Sequence, residues 1–272
     1  MKSKGIIYIH PGLGKTATSA IQNIAFNQLK EDVLYFPFGL KGDVHNYLAD
    51  VHPIFDEEHF DIELDKVAQL DKNKNYFISS EFLCYCTKEH IKSLCTKIMS
   101  HGFHIKVIFA IRELLPLIES SYLQSLKSAH GLVAGESMLG FYKRNKQQFN
   151  FNMLINKWSS VDNVDVVIIE YDKYKDNFVK VFFQYLGVEV TGSKSVTNSS
   201  INSVFIELIT TIDRSVIGLE KKDRKEIIDM LIKLSDKYRG SISYTDEDIE
   251  IIEQDLSSLN KLEELKIKYE FI

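Results

Sequence analysis

Apolar positions follow two different rhythms along this chain. Short, largely apolar runs occur at Ile6–Ile9, Val33–Phe36, Asn75–Ser80, His104–Ile111 and Val164–Glu170. Runs of that length, rich in β-branched and aromatic residues and closed by small or polar ones, predict strands covered on both faces. Between them the spacing lengthens to three or four residues. Ala20, Ile21, Ile24 and Ala25 predict a helix ending near Lys30, and Ile62, Val67 and Leu70 predict one over Asp61–Leu70. Ile91, Leu94, Cys95 and Ile98 mark one face of a helix over Lys88–His101. Further helices are predicted over Leu114–Lys127, Phe141–Trp158 and Phe178–Leu186, the last stopped by Gly187. Strands alternating with helices predict an α/β fold of three layers, with a central parallel sheet flanked by helices.

The pattern changes near residue 191. Thr191–Ser200 has no apolar periodicity, and helices are predicted over Val204–Ile217, Lys221–Tyr238 and Asp246–Tyr269. The last is strongly charged, with Leu256, Leu259, Leu262 and Leu265 recurring every third residue. The expected organisation is a core over 1–197 and a helical C-terminal extension over 198–272, packed on the same domain and offering a face for homo-oligomer formation. Residues 38–60 and Gly131–Gly140 read as loops, the first with a short helix around Asn46–Val51.

Composition narrows the class. A chain of 272 residues that is 44% hydrophobic can bury a full core. A formal charge of −5 speaks against a general nucleic-acid binder. The apolar run after Met1–Lys4 is too short for a signal peptide or a membrane span. Cys84, Cys86 and Cys95 are odd in number and lack metal-site spacing. They predict buried thiols in a reducing, cytoplasmic setting. His52, His59, His90, His101, His104 and His130 form no convincing metal set.

The chemistry concentrates where the first strand ends. His10-Pro11-Gly12-Leu13-Gly14-Lys15-Thr16-Ala17-Thr18-Ser19 joins a strand to a helix start. Glycines let a backbone approach an anion, and a helix N-terminus offers amide donors and a positive dipole end. Lys15 adds a charge, and Thr16, Thr18 and Ser19 add hydroxyls. The expected ligand is a phosphate or a group built like one. Gly14-Lys15-Thr16 matches the end of a nucleoside-triphosphate loop, but Ile9 stands where its first glycine belongs.

Lys15-Thr16-Ala17-Thr18-Ser19 resembles the phosphosulfate loop of the sulfotransferases, in particular their bacterial and carbohydrate-type branch, with Ala17 in place of a glycine. Arg112 follows the fourth strand and Ser120 lies eight residues later. A strand-end arginine suits a phosphate, and on spacing alone it equally suits a surface position. The segment Arg112–Tyr122 is similar to the family's 3′-phosphate site. The strand Ile168–Glu170 and the helix closing at Leu186-Gly187 are similar to its next landmark. Membership would imply PAPS (3′-phosphoadenosine 5′-phosphosulfate) as cofactor and adenosine 3′,5′-bisphosphate as product. Cofactor contacts would come from Gly12, Leu13, Gly14, Lys15, Thr16, Ala17, Thr18, Ser19, Arg112 and Ser120. The acceptor would be a hydroxyl of a glycan, a glycolipid or a small molecule.

Sulfuryl transfer needs charge stabilisation on the leaving phosphate, here expected from Lys15, and a base for the acceptor hydroxyl. His45, in the loop-rich segment after the second strand, is the first candidate base and Glu81, ending the third strand, the second. The mechanism requires no metal. Two alternatives stand beside this reading. One is a P-loop nucleotide-dependent kinase, which would need Mg²⁺ and an acidic residue after a buried strand. The other is a catalytically inactive binding module of the same fold.

Overall fold

The computed structural model describes residues 5–29, 33–128, 136–191, 205, 208, 209, 211, 212, 220–235, 246–259 and 262–272. The Thr191–Ser200 linker beyond Thr191, most of the Val204–Ile217 helix, and Gly131–Gly135 of the predicted loop lie outside these residues. The elements run β1 (Ile6–Pro11), α1 (Thr18–Gln28), β2 (Val33–Tyr35), α2 (Glu57–Asp65), β3 (Asn75–Ser80), α3 (Lys88–Ser100) and β4 (His104–Ile111). They continue as α4 (Leu114–Ser128), α5 (Met138–Asn145), α6 (Phe151–Ser159), β5 (Val164–Glu170), α7 (Phe178–Tyr185), α8 (Lys221–Ser235), α9 (Asp246–Leu259), α10 (Leu262–Lys268) and β6 (Glu270–Phe271).

The strands form one parallel sheet in the order β2-β3-β1-β4-β5-β6. Strand alternation explains its two faces. Tyr8, Phe77, Ile108, Ala110 and Ile169 share a buried cluster with Ile21, Ile24 and Ala25 of α1 and Phe178, Phe182 and Phe183 of α7. The intervening residues Ile7, Ile9, Ile78, Ile105, Val107 and Phe109 point the other way and are fully buried. On that side α3 and α6 pack on β4 and β5, and on each other, with Ile91, Leu94, Ile98, Ile155 and Trp158 buried. A central parallel sheet flanked by helices, with a helical region toward the C-terminus, is thus the architecture.

The chain divides into two compact units. One comprises 1–112, 151–196 and 261–272 and holds the sheet; the other comprises 113–150 and 197–260 and holds α4, α5, α8 and α9. This division differs from the expected break after 197. The last twelve residues return to the sheet unit, where β6 pairs with β5 through Val167–Glu270 and Ile168–Phe271. A strand of two residues carries too little apolar pattern to be seen in a sequence.

Helix boundaries moved for local reasons. The helix predicted over Phe141–Trp158 is α5, a 3-10 turn over Lys146–Phe149, and α6. Asn150 breaks it with φ −87° and ψ 84°, and Ser137 caps α5 by accepting from the Gly140 N–H at 3.2 Å. The helix predicted over Asp61–Leu70 starts earlier, because Asp56 accepts from the His59 N–H at 2.7 Å. In the second unit Tyr122 donates to the Glu136 carbonyl at 2.7 Å and Lys146 pairs with Asp255 at 2.7 Å. Among the described residues no helix is long and apolar enough to cross a membrane.

Candidate functional site

In an open parallel sheet, ligands sit beyond the carboxyl ends of the strands where chain connections leave in opposite directions. Here that place lies between the neighbours β1 and β4. From β1 the chain passes through α1 to β2 at one edge, and from β4 it continues to β5 on the other side. The loop 12–17 and Arg112 are the residues that follow these two strands.

The loop is shaped from within. Leu13 is 2% exposed, and its carbonyl accepts from Thr16 Oγ1 at 2.6 Å and from Thr18 Oγ1 at 3.2 Å. Gly12 is required by close approach, because a Cβ there would meet Thr18 Cγ2 at 2.5 Å. Gly14 is the opposite case: a Cβ there would meet nothing within 4 Å. Lys15 and Ala17 have φ of 68° and 60°, the left-handed region that side chains resist. Ala17 precedes α1, and no side chain caps the helix. Amides at such a start are suited to an anion.

Arg112 closes the arrangement. Its Nη1 donates to the Lys15 carbonyl at 3.4 Å. Its Nε lies 3.7 Å from Asp172 Oδ1, an ion-pair distance too long for a hydrogen bond. The guanidinium stacks over the Tyr171 ring at 5.3 Å, and the Tyr171 N–H bonds the Ile111 carbonyl at 2.7 Å. Asp172 and Tyr171 escaped the sequence reading as partners of Arg112. The register of β4 on β5, which sets Ile111 opposite Glu170, is what brings them there.

Glu81 follows β3, the other neighbour of β1. It opens a 3-10 turn over Glu81–Tyr85, whose cap Ser80 accepts from the Phe82 N–H at 3.2 Å. Burial pushes its carboxyl above the ordinary range, and the Lys15 charge pulls the other way. Ser80 Oγ donates to Asn46 Oδ1 at 2.7 Å.

His45 is not available as a base. It is fully buried, its Nε2 donates to the Phe36 carbonyl at 2.9 Å, and its Nδ1 accepts from the Ser79 N–H at 3.1 Å. The His45 N–H donates in turn to the Ser79 carbonyl at 3.1 Å. β2 stops after pairing Tyr35 with Phe77, so His45 completes the edge of β3 that β2 leaves bare. Both ring nitrogens are committed to backbone, and burial lowers the imidazole to about 4. His10 is also interior: its Nδ1 meets Ser79 Oγ at 3.0 Å, Gln22 donates to the same hydroxyl at 3.3 Å, and Phe182 lies edge-on at 4.9 Å. Burial lowers it to about 3.

The predicted residues therefore separate. Gly12, Leu13, Gly14, Lys15, Thr16, Ala17 and Thr18 form one loop, with Arg112 bonded to it and Glu81 within reach of the Lys15 charge. Ser19 is exposed on the first turn of α1. Ser120 lies on α4, half-buried, in the second unit.

No family model matches this chain, and no curated protein matches it. Among solved structures, a chain from the PezAT chromosomal toxin–antitoxin system of Streptococcus pneumoniae is similar at 13% sequence identity and a TM-score of 0.34, with 86% of each chain covered. A score that low carries no argument about activity. No sulfotransferase family is matched, so the resemblance read from Lys15–Ser19 and Arg112–Tyr122 does not hold. PAPS as cofactor, sulfuryl transfer and the carbohydrate or glycolipid acceptor are withdrawn with it. The burial of His45 removes the first of the two candidate bases for that chemistry.

Proposed function

We propose that the chain is a nucleotide-dependent phosphotransferase of the P-loop type, with the nucleotide's phosphates seated on the loop 12–17. The supporting observation is the meeting of that loop, Lys15 and Arg112 at the carboxyl edge between β1 and β4. Backbone amides at the α1 start and the Lys15 ammonium would hold the terminal phosphates. Arg112, braced by the Lys15 carbonyl and Asp172, would stabilise charge that accumulates on the transferring group. Glu81 would accept the proton of the attacking hydroxyl: it is a carboxylate at the neighbouring strand end, and burial raises its affinity for a proton.

Phosphoryl transfer of this kind uses Mg²⁺ carried with the nucleotide. Thr16 holds the position whose hydroxyl would reach that ion, but it is fully buried and donates to the Leu13 carbonyl at 2.6 Å. That arrangement does not fit the metal, and no step is assigned through it. The same observation favours a second reading, in which the loop binds a nucleotide without turning it over.

The test is calorimetric titration with ATP and with GTP, followed by assay of transfer from the γ-labelled nucleotide. Nucleotide binding that is lost in Lys15→Ala supports the site. Absence of binding to either nucleotide overturns both readings, and binding without transfer selects the second.

A further inference from the structure

A second cluster of reactive groups lies away from the loop. Asp50, Cys86 and His90 each offer one ligand atom, and these atoms lie within 4.8 Å of one another. We infer that Asp50, Cys86 and His90 form a binding site for a divalent transition cation of the zinc class.

The donor set is one carboxylate oxygen, one sulfur and one imidazole nitrogen. Sulfur and imidazole favour zinc-like ions over magnesium or calcium. Two anionic ligands and one neutral ligand balance a charge of +2, and a tetrahedral ion would keep one position for water. His90 is prepared for this role. Its Nε2 hydrogen-bonds the Leu48 carbonyl at 2.9 Å, and in the tautomer that donates there Nδ1 carries the ring's lone pair. A metal-binding histidine is commonly oriented by such a bond from its other nitrogen. Phe55 and Phe60 flank the ring at 5.1 and 4.5 Å and fix its plane.

The anionic ligands are held by the start of α3. Asp50 accepts from the Thr87 N–H at 3.2 Å, and Thr87 in turn caps the helix by accepting from the His90 N–H at 3.3 Å. Cys86 is fully buried, and its carbonyl accepts from Lys157 Nζ at 3.0 Å. Scanning histidines alone misses the cluster, because its members come from a loop, a turn and a helix, and only Cys86 and His90 are close in sequence. An ion there would tie the segment around the 3-10 turn Asn46–Leu48, which also holds Ser80 through Asn46, to the start of α3. The role is therefore structural, with Cys84 and Cys95 as buried thiols outside the cluster.

Cobalt(II) titration of the whole chain tests this. Thiolate ligation gives a sulfur-to-cobalt charge-transfer band in the near ultraviolet, and zinc should abolish it by displacement. The band should persist in the Cys84→Ala, Cys95→Ala double variant, which leaves Cys86 as the remaining thiol. It should vanish in Cys86→Ala, and His90→Gln should weaken affinity by about 10-fold or more. A wild-type protein without the band overturns the site whatever the variants do. So does a band that survives Cys86→Ala. A band lost in the double variant, with its fold verified by circular dichroism, also overturns it.

Discussion

Two stretches at the carboxyl edge of the sheet both carry groups capable of chemistry, and the structure uses those groups differently. Around β1 and α1, Lys15 and Arg112 stand beside an open backbone at Gly14 and a helix start that no side chain caps. Around β2 and β3, His45 and Ser79 are equally capable of chemistry but use their hydrogen-bonding capacity on each other and on the Phe36 carbonyl. A reactive side chain becomes functional when its lone pairs and protons face a place a ligand can reach. The same residue becomes structural when an unpaired strand edge needs it, because an unmet buried backbone group costs about 1–3 kcal/mol.

The sharpest way to break this contrast is Lys15→Ala. It should lower phosphoryl transfer by about 100-fold or more, with the melting temperature little changed, as measured by γ-labelled transfer and calorimetry. His45→Ala should do the reverse. It should destabilise the fold by about 2–3 kcal/mol, because the Ser79 N–H and the Phe36 carbonyl lose their partner. Chemical denaturation measures this, and nucleotide affinity should persist in the folded fraction. An unaltered midpoint would return His45 to the list of candidate bases.

Acid should expose the same interior. His45 and His10 are held at about 4 and about 3, below the ordinary value of 6.5, by burial. The unfolded chain therefore binds protons first as pH falls. Their contribution is fully present above pH 6.5 and is lost progressively on acidification from there through pH 4 and then 3, at up to about 1.4 kcal/mol per pH unit and per imidazole. Denaturation midpoints at pH 7 and pH 5 test the slope, which should shrink in His45→Gln. The smallest effect is expected from Ala17→Gly. Removing the methyl relieves a left-handed residue at φ 60° but loses some packing, for a net gain of less than about 1 kcal/mol in thermal denaturation.

Much of the sheet was legible because burial on both faces leaves a near-continuous apolar run, as in His104–Ile111. The loop between β1 and α1 was legible because glycines, a lysine and hydroxyls crowd between a strand and a helix. The direction of those hydroxyls was not. Thr16 and Thr18 turn inward to one carbonyl, and nothing in their spacing distinguishes that from pointing at a ligand. The family resemblance failed for a related reason: a short motif states which groups are near a turn, not what they serve.

By itself the sequence determined the alternation of strands and helices, the parallel sheet they imply, and the loop that follows β1. These are set by local periodicity and turn chemistry, which act over a few residues. Only the tertiary structure decided that Arg112 braces the Lys15 carbonyl, that His45 repairs the edge of β3, and that Asp50 meets Cys86 and His90. Such pairings join residues tens of positions apart, and strand order and register, not local pattern, bring them together.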